Sequence, residues 1–242
     1  MPQPDIQIFP SPADLAAAAA RTWLAELAAR PASAPPASVA LSGGRITRTF
    51  FQSVVTQARD DRSLFAEVHF FWADERCVPP DDPESNFRLA DELLFQPLGI
   101  APECIHRIHG ELSPHEGAAA AREDLERFHE HKGADLPLFD TVFLGMGEDG
   151  HVASLFPGES EETMADPALY RPVVAAKPPP LRITLGYDAI LSAQSVTALV
   201  SGSGKESALR DSLSSEGTTP LSRVVQRRTS VRILTDVRLA GD

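Results

Sequence analysis

The chain has 242 residues, of which 43% are hydrophobic and 23% charged, and a formal net charge of −12. These values describe a soluble globular protein long enough to bury a sizeable core. They argue against nucleic acid or an anionic membrane as the main partner, because both demand a basic footprint, but they leave room for a small anionic ligand held by a local cluster of Arg and Lys.

Ser11-Pro12-Ala13-Asp14 opens the first element. A capping hydroxyl, a proline at the first position and an acid in the first turn predict a helix to about Arg30. Residues 31–36 are a proline-rich connector, 38–41 a short strand ending at Ser42-Gly43-Gly44, and 47–59 a helix. Residues 68–72 are apolar and aromatic, a buried strand that runs into Asp74-Glu75-Arg76. Residues 85–95 read as helix and 105–108 as a brief strand. Ser113-Pro114-His115-Glu116 has the form of a capping box and predicts a helix to about Lys132. Residues 141–144 form a hydrophobic strand that flows into a glycine turn, 145–150, with His151 directly after it. Two short strands, 172–175 and 182–185, flank Pro178-Pro179-Pro180. A short helix follows at 187–191, then a strand at 195–200 ending in Ser201-Gly202-Ser203-Gly204-Lys205, a helix at 206–213 and a last strand at 231–235. Strands alternating with helices predict an α/β fold, an open and mainly parallel sheet with helices on both faces in a three-layer, Rossmann-like arrangement. No composition break divides the chain, so one domain over 1–242 is expected, and no period suggests a repeat protein.

Cys77 and Cys104 lack metal-ligand spacing and read as free thiols of a reducing compartment. The first fifteen residues have no basic region, residues 16–20 are too short and too weakly apolar for a signal-peptide core, and no stretch is long enough to span a bilayer. A cytoplasmic protein is the expectation.

In open α/β sheets, ligands bind at the carboxyl ends of the strands. Four such ends carry chemistry here. Ser42-Gly43-Gly44-Arg45 lets backbone approach a ligand and offers helix-start amides to an anion; a plain strand-to-helix turn is the alternative. Asp74-Glu75-Arg76, with Ser85-Asn86 downstream, places three charges that folding does not need after an apolar strand, and Arg76 presents a planar fork for phosphate or carboxylate; a solvated loop with an Asp–Arg pair would look the same. The glycine turn ends in His151, the side chain best suited to exchange protons near neutral pH. Its Gly145-x-Gly147-x-x-Gly150 spacing matches the dinucleotide fingerprint weakly, since it lies mid-chain and is followed by little helix before Pro157. Lys205 at a glycine-rich helix start is a candidate phosphate ligand, and an exposed cap lysine would read alike. The remaining histidines show no convincing metal-ligand pattern, so no metal is expected. Ser154 has no Gly-x-Ser-x-Gly elbow around it and reads as a helix-turn residue.

Together these segments, in this order, resemble the 6-phosphogluconolactonase family, within the wider group that includes glucosamine-6-phosphate deaminases. The resemblance rests on LSGGR at 41–45, DERCVPPDDPESNF at 74–87 and GMGEDGHVASLFPG at 145–158, with support from RITLGYDAI at 182–190 and SGSGKESAL at 201–209. The deaminase branch typically has Asp-Glu-Tyr where this chain has Asp74-Glu75-Arg76, which favours the lactonases. The loop Ser42-Gly43-Gly44-Arg45-Ile46-Thr47 departs from the family in lacking a proline after its fifth position. The resemblance implies hydrolysis of 6-phospho-D-glucono-1,5-lactone in the oxidative pentose phosphate pathway, with neither a metal nor an organic cofactor. Residues and resemblance together lead us to expect His151, Asp74 and Arg76 as the catalytic set. Ser42, Gly43, Gly44, Arg45, Asn86, Gly147, Asp149, Gly150, Arg182 and Lys205 are expected to bind the substrate and its phosphate. His151 is expected to act as general base, Asp74 to orient His151 or a sugar hydroxyl, and Arg76 or the amides of the glycine turn to stabilise charge on the carbonyl oxygen. A sugar-phosphate isomerase or deaminase, a non-catalytic sugar-phosphate sensor and a dinucleotide-binding oxidoreductase are the competing readings.

Overall fold

A computed structural model of the chain describes residues 4–133, 135 and 137–239. In chain order its elements are β1 (Asp5–Ile8), α1 (Pro12–Ala28), β2 (Ala37–Leu41), α2 (Arg45–Ala58), β3 (Val68–Trp72), β4 (Asp74–Arg76), α3 (Asn86–Ala90), α4 (Gln96–Leu98), α5 (Pro114–Lys132), β5 (Thr141–Gly145), α6 (Glu161–Met164), β6 (Tyr170–Val174), β7 (Leu181–Leu185), α7 (Tyr187–Leu191), β8 (Ser195–Val200), α8 (Glu206–Leu213), α9 (Pro220–Arg227) and β9 (Arg232–Thr235). The local signals work as read. Ser11 caps α1 through the amide of Asp14, and Ser113 and Glu116 form a reciprocal capping box on α5. The helix predicted over 85–95 begins with Ser85 as its cap, passes through a π-helical turn at Asp91–Phe95 and ends at Gly99 in the left-handed region.

Six strands form one sheet in the order β1-β9-β8-β5-β2-β3, and every pairing in it is parallel. Alternation along β3 shows why both faces are covered. Phe70 turns to one face, where it meets Trp23 of α1 at 6.4 Å. Phe71 turns to the other, where it meets Phe128 of α5 at 5.3 Å. Trp23 also packs edge-on against Phe143 of β5, and Phe50 of α2 lies 4.7 Å from the same ring. At the amino ends of the strands, Asp140 ties four segments together. Its carboxylate accepts from Lys132 Nζ at 2.7 Å, Arg30 Nη1 at 2.7 Å and the Ser38 amide at 2.8 Å.

The structure differs from the sequence reading in its smaller parts. β4, β7 and β6 form a separate three-stranded antiparallel sheet, so the charged triplet is itself a strand, and the two strands around the prolines are a hairpin beside the main sheet. The strand expected at 105–108 shrinks to one bridge between Ile105 and Phe70. Beyond that bridge, Gly110 is pressed onto the backbone of Arg76 and Val78, a contact with no room for a Cβ. β1, α6 and α9 were not anticipated. Among the described residues, no helix is long and apolar enough to cross a membrane.

Candidate active site

Chain direction across the sheet reverses between β2 and β5. From β2 the chain first moves outward to β3, then returns to the other side of β2 for β5, β8 and β9. A crevice at such a reversal is where open α/β sheets hold ligands. A cavity of about 330 Å³ opens there, walled by the start of α2, by β4 with Asn86 and Arg182, by the turn after β5 with His151, and by the loop after β8 with Lys205.

The turn after β5 is tight. Met146 and Val152 bridge, the Gly147 amide donates to the His151 carbonyl at 2.9 Å, and the Gly150 amide donates to the Gly147 carbonyl at 3.1 Å. The imidazole lies so close over Gly147 that any side chain there would overlap it. His151 Nδ1 is 2.5 Å from Asp149 Oδ1, which also accepts from the His151 amide at 3.2 Å. Burial alone would raise the Asp149 carboxyl, but the His151 amide and ring outweigh it and hold the group below the usual carboxylate range. An ionised Asp149 accepts the Nδ1 proton, which leaves Nε2 as the basic nitrogen.

Two cationic poles complete the cavity. At the first, Gly44 caps α2 at φ 108 without a side-chain hydrogen bond, so the first-turn amides of a 14-residue helix are left for an anion. Ser42 Oγ donates to the Phe143 carbonyl at 2.8 Å and ties this loop to β5. Lys205 lies beside it, its ammonium shifted down by burial and then by the neighbouring Arg45. At the second pole, Arg76 and Arg182 face each other in the β4–β7 register. Like charges opposed across strands are unfavourable unless something answers them. Burial, and then Arg76, lower the Arg182 guanidinium. Arg76 Nη1 donates to the Glu84 carbonyl at 2.5 Å, while its Nε is buried without a partner among the described residues. The pleat of β4 sends Asp74 and Arg76 to the cavity and Glu75 the other way. There Glu75 accepts from the amides of Arg76, Asn86 and Phe87 and from Ser85 Oγ, at 2.7–3.0 Å.

The family model for glucosamine-6-phosphate isomerases/6-phosphogluconolactonase matches residues 10–233. The chain belongs to this family. A 6-phosphogluconolactonase of Haemophilus influenzae is 37% identical over 183 residues, covering 73% of each chain. The 6-phosphogluconolactonase of Trypanosoma cruzi superposes with a TM-score of 0.81 at 25% identity, over 97% of this chain and 95% of that one. A monomeric glucosamine-6-phosphate deaminase shares the fold with a TM-score of 0.75 at 20% identity, over 96% of each chain.

Measured against the family motifs, the cavity gathers most of the residues singled out in the sequence. Ser42, Gly43, Gly44, Arg45, Asp74, Arg76, Asn86, Gly147, His151, Arg182 and Lys205 all line it. Asp149 and Gly150 stand outside the lining: Asp149 serves His151, and Gly150, at φ 83, lets the turn pass against Thr219. Asp74 does not orient His151. Its carboxylate accepts from Ser154 Oγ at 2.7 Å, and Asn86 Nδ2 donates to its carbonyl at 2.8 Å. Ser154 lies in a turn rather than a helix, and it is a fully buried partner of Asp74. The Gly147 and Gly150 amides are spent within the turn, so neither is free to stabilise an oxyanion. Asn86 is packed so tightly on Gly43 that a side chain there would collide with its amide, which joins the first and second motifs. Sequence reasoning missed Pro12, Ile46 and Thr49 of the wall. Their types carry no chemical signal, and only the approach of the α1 and α2 starts brings them there.

Proposed function

We propose that this protein hydrolyses 6-phospho-D-glucono-1,5-lactone to 6-phosphogluconate, the lactone-opening step of the oxidative pentose phosphate pathway, with His151 as general base. The observation that carries the reading is a histidine with Nδ1 fixed by a carboxylate and its ring at the wall of a cavity with cations at two ends. Nε2 takes a proton from water as the water oxygen attacks the lactone carbon. The imidazolium returns that proton to the ring oxygen as the carbon–oxygen bond breaks. Arg76 is the donor we assign to the carbonyl oxygen as charge develops, because the Gly147 and Gly150 amides are used within the turn. The 6-phosphate goes to the Ser42–Arg45 loop and Lys205, where helix amides and two cations meet. Asp74, held by Ser154 and Asn86, accepts from a sugar hydroxyl. The chemistry as written needs no metal and no organic cofactor, and no nucleic-acid or membrane partner.

We place the activity in the cytoplasm, supported by the free thiols Cys77 and Cys104. One domain over 1–242 remains our reading, supported by a hydrophobic cluster that runs from Leu15 to Val237; residues 1–3, 134, 136 and 240–242 of that span lie outside the described residues.

The test is hydrolysis of freshly generated lactone, coupled to 6-phosphogluconate dehydrogenase and corrected for spontaneous opening. Wild type accelerates the reaction, and His151→Ala loses about 10²–10⁴-fold in kcat with far less effect on substrate binding. A well-folded wild type with no acceleration sinks the reading. A His151→Ala variant with near-normal turnover sinks the base assignment.

A further inference from the structure

Phe156 follows His151 by one short turn and stands behind the cavity wall, half-buried. It belongs neither to the buried core nor to the hydrophobic side chains packed against that core. Its aromatic and charged neighbours are instead two residues of the site. The Phe156 ring centroid lies 5.0 Å from that of His151, with the planes tilted by 43°, and the Arg182 guanidinium carbon lies 5.8 Å from the same ring. A large apolar side chain that adds nothing to the core, yet touches both the base and an arginine of the cavity, calls for another role.

The imidazole supplies the reason. The imidazole turns about its Cα–Cβ and Cβ–Cγ bonds, and the single bond to Asp149, whose own side chain is 49% exposed, restrains that swing from one side only. Gly147 closes one side of that swing, because the ring lies directly on it. We propose that Phe156 closes another side and is a positioning residue for His151, holding the imidazole plane so that Nε2 faces the cavity. This rests on the reading of His151 as the base. The other contact of the ring is secondary. Its π face answers part of the Arg182 charge, but Arg182 keeps its own anchors, the carbonyls of Pro179 at 3.1 Å and Lys177 at 3.5 Å. Loss of the aromatic ring therefore disturbs the base more than the arginine.

Phe156→Leu tests this, with Phe156→Met as a second truncation and Phe156→Tyr as the conservative control. Each is assayed for lactone hydrolysis across pH, and the His151 ring is followed by NMR in the same proteins. A misplacement of a catalytic group by about 1 Å can cost about 10²-fold. Phe156→Leu is therefore expected to lose about 10- to 100-fold in kcat with KM within about threefold. Its NOEs between the His151 ring and Gly147, which lie in contact in the structure, weaken, its thermal stability stays near wild type, and Phe156→Tyr recovers both kcat and those NOEs. Truncations that keep kcat within twofold overturn the proposal. So does a loss of kcat with unchanged His151–Gly147 NOEs. If wild type shows no lactonase activity, the functional reading fails, and the spectra still decide the positioning: weakened His151–Gly147 NOEs in the truncations uphold it, and unchanged ones overturn it.

Discussion

Glu75→Gln keeps the shape of a buried side chain and removes one of its two acceptor oxygens. Oε1 receives the amides of Arg76 at 2.7 Å and Asn86 at 2.8 Å. Oε2 receives the Phe87 amide at 2.8 Å and the Ser85 hydroxyl at 3.0 Å. A glutamine answers only one of these pairs. With its NH₂ turned toward Ser85, the hydroxyl can rotate and accept, but the Phe87 amide is left facing a donor. An orphaned buried amide costs about 1–3 kcal/mol, and the two remaining bonds fall from charge-assisted to neutral strength, about 1 kcal/mol less each. Some of this is returned, because burial raises the Glu75 carboxyl above its ordinary value and the variant no longer buries a charge. The net expectation is about 2–4 kcal/mol, or roughly 5–15 °C in Tm for a chain of this size. Arg76 and Asn86 hang on the same amides, so kcat/KM measured well below the variant's Tm also falls. Denaturant unfolding gives the energy and the coupled lactone assay gives kcat/KM. A Tm within 2 °C of wild type together with an unchanged kcat/KM would refute the claim that this carboxylate holds the arginine arm, with 2 °C corresponding to about 0.5–1 kcal/mol.

Lys205→Ala should raise KM about 10- to 100-fold, the worth of one charge-assisted bond to phosphate, while kcat changes by less than about threefold; its Tm without ligand should not drop, because the substitution removes a buried cation beside Arg45. Asp140→Asn should cost about 3–5 kcal/mol in denaturant unfolding, since Lys132, with 2% of its side chain exposed, loses its countercharge. Burial would raise the Asp140 carboxyl, but Lys132, the Ser38 amide and Arg30 outweigh it and hold it below its ordinary 3.8. Its contribution is therefore complete above pH 3.8 and lost as pH falls through the lower folded value, and the Asn variant lacks that part of the acid slope. His69 donates or accepts at Nδ1 to His106 Nε2 at 2.8 Å, and His106 in turn meets Asp124 at 2.7 Å. Burial, then His106, lower the His69 imidazole from 6.5 to about 4, with Asp124 and Glu103 opposing and His131 adding to the shift. Stability should fall from pH 6.5 down to about 4 as the unfolded chain protonates and the folded one does not, and His69→Gln should flatten that slope in unfolding measurements.

The elements that could be read from the sequence are those whose cause is local. Ser113 and Glu116 are three residues apart, and their reciprocal bonds define the start of α5 wherever the rest of the chain goes. The apolar runs of β3, β5 and β8 mark strands buried on both faces, and in a parallel sheet that alone puts their following loops on one edge. His151 was legible for the same reason: it comes directly after such a strand. β1 was not, because all four of its residues are exposed at the sheet edge, so it has no buried face to imprint a pattern. α9 begins at a Thr219-Pro220 cap that reads no differently from a turn.

What stayed hidden was the division of labour among the charges, because that is decided by pairings between distant segments. Asp74 and Asp149 were both available to orient the imidazole. The tight turn over Gly147 gives the role to the aspartate two residues away, and β4 turns Asp74 toward Ser154 instead. A three-residue strand has no period to read, so nothing local announced that Arg76 would lie opposite Arg182. Yet the bulk charge already bounded the answer. In a chain with a net charge of −12, four cations converge on one cavity. Three of them are half-buried or more deeply so, and the Lys205 and Arg182 side chains bear the cost in lowered proton affinity. Folding alone gives no reason to collect like charges in this way. An anion bound between them does, and a sugar phosphate whose hydrolysis creates a second negative group has one for each pole.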